Sequence, residues 1–351
     1  MLKKIFIFLS IICLGVNFEI FGIDKNQDNI YQMRTKEDLY EFARIVNSGK
    51  SNASAVLMND IVINKNIKLS DKEIESEKKY LDWEPIGKNS NNKKEYTGVF
   101  NGNNHSISGI YCDTENNSGL FGCLGTGGEI KNLKIKKSYF LSNLENNFDS
   151  DEIISCGAVC ALSFGRIKNC KSENNIIISK ASDENACKSS GGICGRNSGE
   201  IIESETRNTT IKTEGKGENN SGGICGLELE TGRINKCMVN KNTKVISEGN
   251  YKNCSGGVVG QNLGTVYKSK VNNTKVIAQG SGARNKSGGI CGKNMNILDT
   301  CTVSSEELVS EDGQAGSVCA YSAGKQINCK YDDDFMLKIL ISIRNSIRQK
   351  N

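Results

Sequence analysis

The residues able to do chemistry in this chain are mainly thiols and carboxylates. Fifteen cysteines stand against a single histidine, His105. Cysteine in such numbers ordinarily signals a disulfide framework when a chain is exported. Here the spacing competes with that reading. One set of positions reads Phe121, Cys160, Cys194, Cys225, Val259, Cys291, Cys319, and a second reads Leu133, Cys170, Ser204, Cys237, Ser269, Cys301, Cys329. A position that alternates Cys with Phe, Val, Leu or Ser asks for a small, mostly apolar, inward group, which free cysteine supplies. Stacked parallel strands also align their Cβ vectors, which makes a poor disulfide torsion. Both columns are therefore expected to hold buried thiols. Cys112, Cys123, Cys156, Cys187 and Cys254 lie off them, free to pair or to face solvent.

Other chemistries are weakly supported. No CxxC pair occurs, and the closest spacing, Cys156 with Cys160, has no histidine nearby; no metal or other cofactor is expected. A catalytic His105 would need a nucleophile and an orienting acid; its setting, Asn103-Asn104-His105-Ser106, reads as a turn. Glu200, Glu228 and Glu230 fall in comparable regions of neighbouring repeats, followed by Glu203 and Glu205. Gathered on one face, such acids could serve a polysaccharide lyase or hydrolase. With no aromatic platform evident beside them, solvated strand-edge charges are the simpler reading. Calcium would need a loop pattern that is missing.

The elements that must position these residues follow from one phrase. Ser190-Gly191-Gly192-Ile193-Cys194-Gly195 returns as Ser221-Gly222-Gly223-Ile224-Cys225-Gly226, Ser255-Gly256-Gly257-Val258-Val259-Gly260 and Ser287-Gly288-Gly289-Ile290-Cys291-Gly292. Weaker copies end at Gly122, Ala161 and Ala320, so the phrase ends run 122, 161, 195, 226, 260, 292, 320, with steps of 28 to 39 residues. That is the signature of a repeat architecture. The phrase fits neither a P-loop nor GxGxxG, and a nucleotide site does not repeat. The paired glycines Gly191/Gly192, Gly222/Gly223, Gly256/Gly257 and Gly288/Gly289 are expected to supply positive φ at a corner.

Each unit holds three apolar pieces: the glycine phrase, a piece such as Gly199-Glu200-Ile201-Ile202-Glu203-Ser204, and one such as Thr209-Thr210-Ile211-Lys212-Thr213. Short pieces rich in β-branched residues and divided by Gly and Asn read as strands. Three strands per turn, always in one direction, describe an all-β parallel β-helix of about seven turns. No turn buries its inner face alone, so the turns stack. At about 4.8 Å per strand, the stack is roughly 30 Å long.

Outside the repeats, Met1-Leu2-Lys3-Lys4 and the apolar run Ile5 to Val16 predict a signal peptide over residues 1–22. Its removal leaves a charge of +4 from the +5 of the whole chain, by taking away Lys3, Lys4 and Glu19. With 45 basic and 40 acidic residues interspersed, no basic stripe marks a nucleic-acid partner. Residues 23–112 form an N-terminal cap region. There Thr35 and Asp38 start a short helix carrying Leu39, Phe42, Ala43 and Val46. Ala55 to Ile63 gives two short strands, and the charged residues 70–80 a loop. Residues 113–330 are the solenoid. Residues 331–351 predict an amphipathic helix over the last turn, with Asp332-Asp333-Asp334 at its start and Arg344 and Arg348 towards its end. The same basic amphipathic pattern would permit membrane contact.

One family resemblance is visible. Trp83-Glu84-Pro85-Ile86-Gly87, then Gly98-Val99-Phe100-Asn101-Gly102-Asn103-Asn104-His105-Ser106-Ile107, then Gly119-Leu120-Phe121-Gly122, resembles the GLUG-motif proteins of bacterial surfaces. The later Gly-Gly-Ile-Cys-Gly phrases resemble the repeats that follow in them, with Cys where Phe or Val is commoner. The resemblance implies a secreted or surface-displayed β-solenoid and is not specific for activity; the extended surface of such a repeat points to a module that binds an extracellular protein or glycan without catalysis. A carbohydrate-active β-helix enzyme and a purely structural envelope component are the alternatives.

Overall fold

A computed structural model describes residues 23–331 apart from 66, 68, 70–79, 89–94, 145–152, 281–283, 305–306 and 312. The expected signal peptide and C-terminal helix lie outside the described residues, as does nearly all of the expected loop over 70–80. The chain winds into a parallel β-solenoid of about seven turns. One coil shows the plan: Cys187–Gly191, Cys194–Asn197, Glu200–Ile202, Glu205–Arg207 and Thr210–Gly215 are its five strands, and Glu218–Gly222 begins the next. We call these faces one to five. Faces one, two and five are seven-stranded sheets; faces three and four have ten and nine strands because they continue into the cap region.

The expectation of three strands per turn is thus corrected to five. The second and third apolar pieces are parted by a left-handed residue: Lys137, Asn174, Asn208 and Asn273 have φ between 47° and 55°. The second piece is itself broken at Asn132, Asn169, Glu203, Lys236, Lys268, Thr300 and Asn328, with φ between 48° and 55°. Each of those residues directly precedes a second-column position, so the chain corners there. The glycine phrase also bends, between Gly191 and Cys194, dividing face one from face two.

The paired glycines are corrected as well. None of the eight is among the positive-φ glycines. They are there because the coils press together. A Cβ on Gly192 would stand 2.2 Å from the Gly223 carbonyl oxygen of the next coil, and one on Gly191 2.7 Å from that of Ile224 on the next coil and 1.9 Å from that of Cys194 across its own bend. At the strand breaks just described, left-handed geometry falls instead to Asn, Lys, Glu and Thr.

The interior is a set of inward columns. On face three Phe100, Ile130, Ile167, Ile201, Ile234, Val266 and Leu298 lie in register and are buried. Face five continues with Phe140, Ile177, Ile211, Val245, Val276 and Leu308. Helix α1 (Lys36–Asn47) closes the N-terminal end. Its capping box is present, Asp38 N–H donating to Thr35 Oγ1 at 3.2 Å and Thr35 N–H to Asp38 Oδ2 at 3.0 Å. Phe42 enters the core edge-on to Tyr31 and Tyr96, at centroid distances of 5.7 and 6.2 Å. Strands Ala55–Leu57 and Ile61–Val62 flank Asn59-Asp60 as expected.

Candidate functional site

The first column is continuous in register on face two: Phe121 beside Cys160, then Cys194, Cys225, Val259, Cys291 and Cys319. Cys160 and Cys194 donate their S–H to the carbonyls of Leu162 and Arg196, both at 3.0 Å. The second column lies at the corner between faces three and four. Its members donate to the carbonyl two residues back: Cys170 to Lys168 at 3.4 Å, Ser204 to Ile202 at 3.0 Å, Cys237 to Asn235 at 3.5 Å, Ser269 to Tyr267 at 3.2 Å. From Cys170 onward the corner holds a small side chain that can donate, Cys or Ser, where Leu133 stands in the first coil. The off-column Cys112, Cys123, Cys156 and Cys254 are buried and Cys187 half-buried; all fourteen described cysteines are free. Burial pushes the thiols of Cys170 and Cys237 up to about 12 and those of Cys112 and Cys254 up to about 11. Protonated thiols are poor nucleophiles.

The other candidates are not brought together. His105 Nδ1 lies 3.5 Å from Asp60 Oδ1, which also accepts from Ser106 N–H at 2.7 Å. Asp60 thus receives the Ser106 backbone amide beside the imidazole, whereas a triad sets a serine hydroxyl on the imidazole. Glu200 is half exposed on face three, 3.6 Å from Arg166 Nε. Glu230 is exposed. Glu228 is fully buried on face two, accepting from Asn197 Nδ2 at 2.9 Å. Burial holds its carboxyl well above the usual range, and its other oxygen has no partner. Glu203 pairs with Lys236 at 3.7 Å and Glu205 with Lys171 at 3.3 Å. These last are cross-coil ion pairs of partly exposed charges, each worth little.

The outer surface offers a different site. Face two carries outward glycines at Gly195, Gly226, Gly260 and Gly292. A Cβ on Gly292 would stand 2.8 Å from Ser255 N and 2.9 Å from Lys286 O, both on face one. The two faces thus close on each other as an inside corner. Side chains just beyond it form the walls of a groove of about 610 Å³. One wall is the register column Asn220, Cys254, Lys286, Gln314, with Glu218, Lys252 and Arg284 at its outer edge. The other is Gln261, Lys293, Tyr321. Lys252 pairs with Glu218 at 2.5 Å. Arg284, Lys286 and Lys293 form no ion pair among the described residues. Lys286 Nζ stands 5.7 Å from the Tyr321 ring centroid. Tyr321 and Met295 are each 42% exposed. A second depression, of about 680 Å³, lies against α1; its Arg44 is already held by Glu41.

Sequence reasoning missed the groove because its members are isolated in sequence. The available signal was Arg284-Asn285-Lys286, whose charges alternate with an inward residue, together with the 32-residue steps from Lys252 to Arg284 and from Gln261 to Lys293.

Fold and surface together define a parallel β-solenoid with a groove along one corner. A "putative immunoglobulin A1 protease" from Bacteroides ovatus has a similar crystal structure, with a TM-score of 0.53 over 89% of this chain and 87% of that one. At 14% identity the likeness is one of fold. No protein-family model matches the chain, and no curated protein matches it in sequence.

Proposed function

We propose that this chain is an exported binding module without catalytic activity, secreted or displayed on a cell surface, and that it holds an extracellular protein or glycan in the corner groove. The observation that carries this reading is the cluster of three cations that form no ion pair among the described residues, beside an exposed tyrosine and methionine. A stable fold gains nothing from gathering unpaired like charges. Exposed aromatic and apolar groups at such a place mark interaction sites. Solenoids offer extended surfaces of this kind. The expected signal peptide and the GLUG-like phrases support export. The candidate acids are dispersed: Glu228 is sealed inside while Glu200 and Glu230 lie outside it, which favours binding over turnover.

An array of glycans and matrix proteins probed with the purified chain tests this. Saturable binding to at least one of them, reduced by the groove-filling change Gln261→Trp, is the expected result. Binding untouched by Gln261→Trp would move the site elsewhere. Turnover of an acidic polysaccharide, abolished by alanine at Glu200, Glu228 or Glu230, would replace the binding reading with an enzymatic one.

A further inference from the structure

We propose that the groove binds an anionic polysaccharide, whose carboxylate or sulfate groups meet Arg284, Lys286 and Lys293; this rests on the groove reading above and names its ligand class. All three cations belong to one coil. Arg284 and Lys286 are two residues apart on one strand and so about 7 Å apart along it, on the same side of the sheet. Lys293 faces them from the other wall. An acidic group entering between the walls is met from both sides. Arg284 adds the fork geometry that takes a carboxylate or sulfate through two hydrogen bonds. Lys252, about 4.8 Å from Arg284 on the preceding coil, is already matched by Glu218.

The surroundings fit a sugar chain. Gln261, Gln314 and Asn220 line the same groove with amides, which donate to and accept from hydroxyls. Tyr321, one coil on from Lys293 in the same register, gives an exposed ring against which the C–H face of a pyranose can pack. Lys286 over that ring fixes its orientation. The groove is open and runs along the solenoid axis, so a linear polymer can leave it at both ends. Nucleic acid suits it less: the cations are confined to one coil, while the chain as a whole carries 45 basic against 40 acidic residues.

The test uses the full mature chain in biolayer interferometry. The probes are dextran sulfate and polygalacturonate, with unmodified dextran, polyglutamate and single-stranded DNA as comparisons. Saturable binding to a charged polysaccharide and none to dextran is expected. The triple variant Arg284→Gln, Lys286→Gln, Lys293→Gln should weaken it roughly a hundredfold, at about fivefold per charge facing a polyanionic surface. Tyr321→Ala should weaken it further, and Lys270→Gln on face four should leave it unchanged. Circular dichroism confirms that each variant is folded. Equal binding by the triple variant overturns the proposal, as does equal binding of polyglutamate or DNA at the same residues. Should Gln261→Trp abolish binding while the triple variant does not, the groove reading stands and the anionic ligand falls. If neither change matters, both fall.

Discussion

Glu228 offers a test of how closely the interior is matched. It occupies an inward position of face two whose register neighbours are Asn197 and Asn262. Burial is the largest cause of its raised pKa; the nearby Cys225 also raises it, and the hydrogen bond from Asn197 opposes. Below about pH 4.3 the carboxyl is neutral in folded and unfolded chains alike, and folding carries no protonation cost. Above that, the unfolded chain releases the proton while the folded chain keeps it. Stability then falls by about 1.4 kcal/mol per pH unit until the pH passes the raised folded-state value. Glu228→Gln keeps the acceptor for Asn197 and removes the titration. Its advantage over the parent should therefore be near zero at pH 4 and grow with that slope as the pH rises. Glu228→Ala removes the acceptor and should cost about 1–3 kcal/mol at every pH. Guanidinium denaturation of the three proteins at half-unit steps from pH 4 measures this, the shared background cancelling in the differences. Parallel pH profiles for Glu228→Gln and the parent would refute the reasoning and place a charged carboxylate, with some partner, inside the coil.

Three further outcomes follow from the coil geometry. Gly223→Ala places a Cβ 2.0 Å from the Gly257 carbonyl oxygen and 2.7 Å from Val239 Cγ1; a loss of about 1–3 kcal/mol or more in denaturant unfolding is expected. Thr300→Asn should stabilise the chain by a few tenths to about 1 kcal/mol in the same assay, because Thr300 sits at φ 54° and β-branched residues are poor there. In timed iodoacetamide labelling read by mass spectrometry, Cys329 should react first. It is half-buried, and hydrogen bonding from Cys301 lowers its thiol to about 6. Cys160, Cys194 and Cys225, fully buried, should react only on unfolding.

How far the sequence could be read depended on which physical cause left a compositional mark. Register did, because an inward position repeats its residue type in every coil; Cys160, Cys194 and Cys225 stand at consistent phase in the glycine phrase and also in space. The capping box did, because it needs particular side chains at fixed spacing. The corners did not. Asn169, Glu203, Lys236 and Thr300 share one left-handed conformation but no residue type, so the second apolar piece reads as unbroken. The glycine pairs were misleading for the converse reason: close coil contact and positive φ both select glycine. The groove left the faintest trace, since outward positions vary freely and Lys252, Arg284 and Lys293 meet only after folding.

Those two behaviours divide the work of the molecule. Inward polar groups are permitted where the next coil satisfies them. Asn219 Nδ2 donates to Asn253 Oδ1 at 2.9 Å, and Asn253 Nδ2 to Asn285 Oδ1 at 2.8 Å. The residue before this run in register is Lys188, buried and lowered to about 8, chiefly by burial. Its ammonium donates to the carbonyls of Ala186, at 3.2 Å, and Lys216. A one-residue slip of any coil would aim these amides outward and leave their partners unmet, so the ladders fix register more strictly than interchangeable Ile and Val can. With register fixed from within, an outward residue can change without disturbing its neighbours. Cations placed on two successive strands of one coil, Arg284 and Lys286 on the first and Lys293 on the second, then fall on the two walls of the same groove, which is how a uniform coil comes to carry a local site.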